Sequence, residues 1–426
     1  MLKLVAVTAS LLWAGAAAAE SPTIFADGKR TLAVLVAIDA ELKISLASGG
    51  KTAEVPADDL VLWGRYRDVE RGPQIVTSDG SLIVGDVLDI GAREITIGDA
   101  TGLGRVLWNP SPLPRRAVRA IIYQPPADAR ERDRLLDEVL QTEARQDELR
   151  LVGGEVIRGT LLSGETQRLG PEPPGAPQDD FRISVRGRGE PLVVSAAKVQ
   201  TLVLASAGGR GAGASDDGTL ATVGLRDGSL LNCRGVKVGK SSVEFELACG
   251  GTLKAAHVPV GDQSHGFWDE VTLVQPRSQR VKYISDLETI GYKHIPFTAV
   301  EWPFGRDRNV LSSRLRSGGT IHLKGLGMPS ASRLAYDLEG GWKRLEAEVA
   351  LDDAAGLAGS VVFKVVLEEG GQWQAAYESP VIRGGEMPTS VSVELKEASR
   401  IALLVEYSDR GDVLDYADWL NLRLVK

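Results

Sequence analysis

The chain is short of the residue types that most often carry chemistry. Among 426 residues there are two cysteines and four histidines. The histidines (His257, His265, His294 and His322) fall in no HExxH or other metal-ligand spacing, so the signature of a zinc hydrolase is missing. Two thiols alone make a poor zinc site, and the separation of Cys233 and Cys249 is wrong for a CxxC redox pair. No GxSxG elbow, Walker A loop or dinucleotide fingerprint occurs. The run Gly208 to Gly213 is glycine-rich, but it opens no helical pattern and lacks the Lys-Ser/Thr that would grip phosphate. Positive charge is also in deficit. A formal net charge of -8 argues against general nucleic-acid binding, which neutralises phosphates, and against docking on anionic membranes. Long apolar runs are absent after the first twenty residues, so no membrane span is expected once those residues are removed.

What is present reads as exported and β-rich. Residues 1–19 have the form of a secretory signal: Lys3, an apolar run from Leu4 to Ala14, and the small residues Ala16 to Ala19 before Glu20. The expected location is therefore periplasmic, cell-surface or extracellular. The fold class is all-β, with repeated small β units followed by a C-terminal β-sandwich or jelly roll, and one helix interrupting the series.

The repeat shows in its turns. Ser78-Asp79-Gly80-Ser81-Leu82-Ile83 recurs as Arg226-Asp227-Gly228-Ser229-Leu230-Leu231, with looser copies from Leu149 and from Ile24. Each copy closes on an apolar run, such as Asp59 to Trp63 or Val199 to Leu204. Two small units are expected over 20–124 and two more over 149–275, as partly closed barrels of SH3-like kind. The Asp-Gly pairs read as hairpin turns rather than calcium loops, since one Asp per turn falls far short of six oxygen ligands. Between the pairs, 125–148 carries the helix. Asp128 and Glu131 sit as a capping pair before a stripe of Leu135, Leu136, Val139 and Leu140, a face suited to covering a neighbouring unit. Residues 170–177 are proline-rich and 206–218 are Gly-, Ala- and Ser-rich, so both read as loop or linker. A hairpin turning at Gly239-Lys240-Ser241 would set Cys233 nearly opposite Cys249. In an oxidising compartment that predicts a cross-strand disulfide.

The last part of the chain alternates most regularly. Leu334, Tyr336 and Leu338 share one face, and Val361 to Leu367 and Ile401 to Tyr407 are buried runs between glycine turns. Several segments in order resemble the NPCBM domain, a carbohydrate-binding module of the galactose-binding-like jelly-roll group. They are Lys324-Gly-Leu-Gly327, Ser332 to Leu338, Val349-Ala-Leu-Asp352-Asp353, Gly359 to Val365, Tyr377-Glu-Ser-Pro-Val381, Arg383-Gly-Gly385 and Asp415-Tyr-Ala-Asp-Trp419. The resemblance implies a jelly roll over 290–426 that binds a glycan. Two positions depart from the family pattern. Met328-Pro329 stand where a histidine commonly follows the Gly-Leu-Gly turn, and Tyr416 stands where the Asp-His-Ala-Asp-Trp pattern has histidine.

Sugar binding needs an aromatic ring to stack on a pyranose face and polar groups to bond its hydroxyls. The candidates are Trp302, Trp373, Tyr377 and Trp419, with Asp352, Asp353, Arg383 and Asp418. Trp302 and Trp373 are the better placed for exposure, and Trp419 abuts a strand. Asp352-Asp353 and Asp415/Asp418 also offer carboxylate pairs, but adjacent residues on a strand end point apart. No cofactor is expected, a structural calcium ion at Asp415 and Asp418 being the one admissible exception. The sequence thus predicts a non-catalytic exported protein whose partner is a glycan. A structural cell-envelope protein binding other envelope proteins is the alternative, and a glycoside hydrolase ranks last.

Overall fold

The computed structural model describes residues 20–100, 102, 106–162, 180–205, 220–256, 266–296 and 300–426, apart from the Arg410 side chain. The expected signal segment 1–19, the loop 170–177, the linker 206–218 and both His257 and His265 lie outside the described residues.

One strand plan recurs before the C-terminal domain. In its first copy, Ser21–Phe25 pairs with Arg30–Ile38 on one side and with Leu60–Gly64 on the other. Gln74–Thr77, Asp147–Leu151 and Ala221–Leu225 each repeat this, pairing with the strand that follows and with the strand that closes the unit. A short 3-10 turn precedes every closing strand. The Asp-Gly turns explain why the copies look alike. Asp27, Asp79 and Asp227 each accept the N–H two residues on, at 2.9, 2.9 and 2.8 Å. The following Gly28, Gly80 and Gly228 take φ of 89°, 83° and 94°, a region that disfavours a Cβ.

The units are joined edge to edge. Leu60–Gly64 pairs with Val271–Pro276, Val118–Ile122 with Val199–Val203, and Trp108–Asn109 with Thr252–Ala256. Helix α1 (Ala129–Gln141) covers one such junction. Asp128 starts it by accepting the N–H groups of Arg130 and Glu131 at 2.9 and 3.0 Å. Arg119 closes it by donating to the Leu140 and Thr142 carbonyls at 2.6 and 3.1 Å. Val139, with Leu135, Leu136 and Leu140, packs on Val76, Leu82, Ala120, Ile122 and Val203, side chains of the second and third units. Burying Val139 alone contributes about 1.5–3 kcal/mol.

The disulfide expectation fails on register. The strand Leu230–Val238 bulges at Arg234, so Cys233 faces Leu247, the last residue of its partner strand. Cys249 lies beyond the ladder, where its N–H donates to Asp79 Oδ2 at 2.7 Å. Both thiols are free, and burial first, with the Asp79 charge second, pushes each well above the ordinary thiol value.

The C-terminal domain is a sandwich of two sheets. One runs Gly305–Arg306, Gly325–Pro329, Tyr416–Val425, Arg344–Leu351, Thr389–Glu394, with Val281–Tyr283 added beside Tyr416–Val425. The other runs Gly291–His294, Ser332–Asp337, Arg400–Tyr407, Ser360–Glu369, Gln372–Glu378, with Ile382–Arg383 added. Alternate residues interdigitate between them: Leu345, Ala347 and Val349 from the first, Phe363, Val365 and Leu403 from the second.

The outer face of the first sheet is not left to water. The hairpin Leu315–Ser317/Thr320–His322 lies over it, and Leu315 packs on Ala350 and Leu420. Ile321 donates its N–H to the Tyr66 carbonyl of the N-terminal assembly at 3.1 Å. Four charged side chains lock this contact. Arg314 reaches Asp133 of α1 at 2.5 Å and Asp68 at 3.0 Å. Arg316 reaches Asp133 at 3.0 Å and Asp68 at 2.9 Å. Burial works against the Asp68 anion, but hydrogen bonds from Arg316 and the charges of Arg314, Arg316 and Arg132 hold its carboxyl far below the ordinary value.

The covered face also buries acids. Asp418 is 0 % exposed, and among the described residues no donor meets either of its oxygens. Burial and the neighbouring Asp352 carboxyl push it well above the ordinary carboxylate value, so a retained proton makes the contact an O–H···O bond.

Two outcomes are expected from these buried charges. Asp133→Ala leaves the buried Arg314 and the part-buried Arg316 guanidinium groups short of a partner and should lower unfolding free energy by about 3–5 kcal/mol in a urea titration. An effect below about 1 kcal/mol, the range of exposed pairs, would mean the network is solvent-screened. For Asp418 the folded state holds a proton that the unfolded chain releases above its ordinary value of 3.8. Stability should therefore fall as pH rises from about 4 toward neutrality, and Asp418→Asn should remove that fall. Parallel pH profiles for parent and variant would show that Asp418 folds ionised.

Candidate functional site

The loop end of the sandwich gathers aromatic rings from three elements. Trp302 follows the strand Gly291–His294, and Tyr416 opens the strand Tyr416–Val425. Their rings stack with centroids 6.2 Å apart and planes 22° from parallel. Both are half-buried, and Tyr416 also packs against the sandwich core. The Trp302 backbone is held from either side. Its N–H donates to His294 Nδ1 at 3.0 Å, and its carbonyl accepts the Tyr292 hydroxyl at 2.6 Å. With Nδ1 accepting, a neutral His294 carries its proton on Nε2. Burial lowers the His294 value, while the charges of Glu301 and Asp412 act to raise it. Phe304 backs Tyr292 at 5.0 Å between centroids.

The surrounding loops are tightly constrained. Ala331 and Leu414 take φ of 56° although neither is glycine, and such strain persists only where neighbours over-determine the backbone. Ile295 donates its N–H to the Ala331 carbonyl at 2.9 Å. Asp415, at the base, accepts the Ser360 N–H at 2.9 Å. Burial pushes its carboxyl up to about 6, with Asp412 adding to the rise and the Ser360 bond opposing it. Ile295, Val300, Val413 and Leu414, near the two rings in the chain, are exposed. An aromatic platform with carboxylate and imidazole groups beside it can stack on an apolar sugar face and bond its hydroxyls.

The other sequence candidates do not join this site. Trp373 is 46 % exposed but sits on the far edge strand, Gln372–Glu378, opposite Glu368. A bulge between Ala375 and Tyr377 turns Tyr377 toward the core, so the two rings lie on opposite faces. Arg383 is exposed and engaged with Asp409. Trp419 is a correction: it is 0 % exposed, edge-on to Phe363 at 5.1 Å, and part of the core. The acids are corrections too. Asp352 accepts the N–H groups of Arg316 and Ala354 at 3.0 and 2.8 Å, and Asp353 those of Gly318 and Gly319 at 2.8 Å each. Both clamp the 315–322 hairpin. Asp418 is sealed beneath it, away from Asp415, which faces Ser360. Asp415 and Asp418, which the sequence offered as a carboxylate pair, are not brought together, and Asp418 instead lies buried against Asp352.

Sequence reasoning missed Tyr416, His294, Tyr292, Glu301 and Asp412 as site residues. Tyr416 had one signal, its place at a histidine position of the NPCBM pattern. Met328, the other departure, is fully buried and contributes packing. Nothing local in the sequence says that the Trp302 loop folds onto residue 416. Among the described residues no helix is long and apolar enough to cross a membrane.

Comparison with known proteins agrees with the resemblance read from the motifs. A protein of Renibacterium salmoninarum named "Putative endo-alpha-N-acetylgalactosaminidase" is 27% identical over 169 residues, which is 39% of this chain and 11% of that protein. The chain thus spans about a tenth of that relative's length. Two solved structures from Clostridium perfringens are similar. The CBM51 module from GH95, in complex with methyl-galactose, is 20% identical, with 34% of this chain and 99% of that one covered and a TM-score of 0.30. The CBM51-2 and INT domains of ZmpB, with GlcNAc, are also 20% identical, with 48% and 43% covered and a TM-score of 0.30. Residues 280–425 match the NPCBM/NEW2 domain, and that C-terminal part of the chain is a domain of this family.

Proposed function

We propose that this is an exported, non-catalytic carbohydrate-binding protein that takes a glycan at the loop end of its C-terminal sandwich. One observation carries the reading: the half-buried Trp302 ring stacked on Tyr416, its backbone held by His294. A ring pair fixed by packing loses little rotamer entropy when a sugar docks, and its face suits pyranose C–H groups. The match of residues 280–425 to a carbohydrate-binding module family supports the same function. The N-terminal units then act as a rigid carrier, since the Arg314/Arg316 contact fixes how they hold the sandwich. Tyr416 stands where the NPCBM pattern commonly has histidine, so here a second ring takes that place and the site gains stacking surface.

The test is a glycan array followed by titration calorimetry on the full chain. Binding is expected to a pyranose-terminated glycan, to fall at least tenfold in Trp302→Ala and in Tyr416→Ala, and to survive Trp373→Ala. Binding lost only in Trp373→Ala would move the site to the far edge strand. No binding across galactose-, glucose- and uronate-containing glycans would overturn the proposal and leave a structural envelope role.

A further inference from the structure

A second cavity, of about 200 Å³, opens between the first N-terminal unit and the covered face of the sandwich. At about 30 Å³ of liquid volume per water it holds roughly seven waters, the space of a ligand of about a dozen non-hydrogen atoms. Its polar lining converges from separate elements. Arg30 and Arg65 come from the N-terminal assembly, His322 from the hairpin, and Glu348 and Asn421 from adjacent strands of the sandwich, with Tyr66 at the wall.

Asn421 is the unusual member. It lies within the strand Tyr416–Val425, yet takes φ of 49°. The pairing with Arg344–Leu351 shifts register there: Glu346 faces Arg423, and Glu348 faces Leu420. The bulge re-aims the amide outward. Its nitrogen lies 3.2 Å from His322 Nδ1 and 3.4 Å from Glu348 Oε2. The amide can only donate from that nitrogen, so His322 Nδ1 accepts and a neutral ring presents Nε2–H. Burial lowers His322 below its ordinary value, with Glu348 opposing the shift, Arg65 adding to it and Asp353 opposing it. Glu348 is also bonded to Arg30 at 2.5 Å, so those two charges cancel. Arg65 makes no ion pair among the described residues, and it is exposed at the mouth. Among the lining residues Arg65 is therefore the charge without an opposite partner, with amide and imidazole donors and a carboxylate acceptor around it.

We propose that this junction is a second binding site, for a monosaccharide-sized carboxylate such as a hexuronate. Arg65 takes the carboxylate, and His322, Asn421 and Glu348 bond the ring hydroxyls. The proposal stands apart from the Trp302 site and does not need it.

The experiment is titration calorimetry of the full chain with glucuronate, with glucose as the neutral control. Glucuronate should bind, and glucose at least tenfold more weakly. Arg65→Gln, at an exposed position, should weaken glucuronate at least tenfold. Asn421→Gly suits the left-handed backbone and so keeps the fold, but it should also weaken binding. Trp302→Ala should leave glucuronate affinity unchanged. Absence of glucuronate binding at tens of millimolar, or equal affinity in Arg65→Gln, would overturn the site. Loss in Trp302→Ala alone would assign the acid to the platform and overturn it equally.

Discussion

The paired contacts of Arg314 and Arg316 with Asp68 and Asp133 decide how this molecule is arranged. They draw together a loop of the N-terminal assembly, helix α1 and a hairpin of the sandwich domain. Arginine suits the task because its planar fork meets two carboxylates at once. Buried ion pairs add little net stability over an apolar contact of similar shape, because desolvation offsets much of the attraction. What they add is uniqueness. A carboxylate with no hydration shell tolerates only the geometry that supplies its donors, so the units and the sandwich have one way to fit.

That fit changes the chemistry of the sheet beneath it. An outer sheet face normally meets water, and its polar residues need no internal partner. Here the face is roofed by the 315–322 hairpin. Arg423 is 0 % exposed and answered by Glu346 at 2.5 Å, and burial against Asp352 pushes the Asp418 carboxyl well above its ordinary value. The same roof leaves the cavity at Asn421 and His322 lined with polar groups. The Asp27-Gly28 turn presses so close that a Cβ on Gly28 would stand 2.6 Å from Glu346 Oε1. The functional surfaces then divide by exposure: the loop end stays open around Trp302, while the roofed face keeps only a small opening.

Much of the architecture was legible because it rests on local rules. Period-two alternation marked the strands, and Asp-Gly pairs marked turns whose carboxylate and positive φ depend on two neighbouring residues. The capping Asp128 and the Leu135 to Leu140 stripe placed the helix. The site was less legible. Asp352 and Asp353 look in the sequence like groups free to bond a sugar, but backbone N–H groups from a hairpin some thirty-five residues earlier occupy them. Trp373 and Tyr377 look like neighbours on one face until a bulge separates them. Cys233 and Cys249 look opposed until a bulge at Arg234 moves the register. A single inserted residue reverses every side-chain direction beyond it, and alternation alone does not reveal where it falls.

By itself, then, the sequence determined the β character, the repeated turns, the helix and the family of the C-terminal domain, because each depends on residues near one another in the chain. The tertiary structure alone decided which aromatic ring is platform and which is core, which acids are engaged, and where the domains meet. Those outcomes depend on contacts between residues far apart in the chain, such as Trp302 with Tyr416 and Asp133 with Arg314, and only the folded geometry says which distant partner arrives.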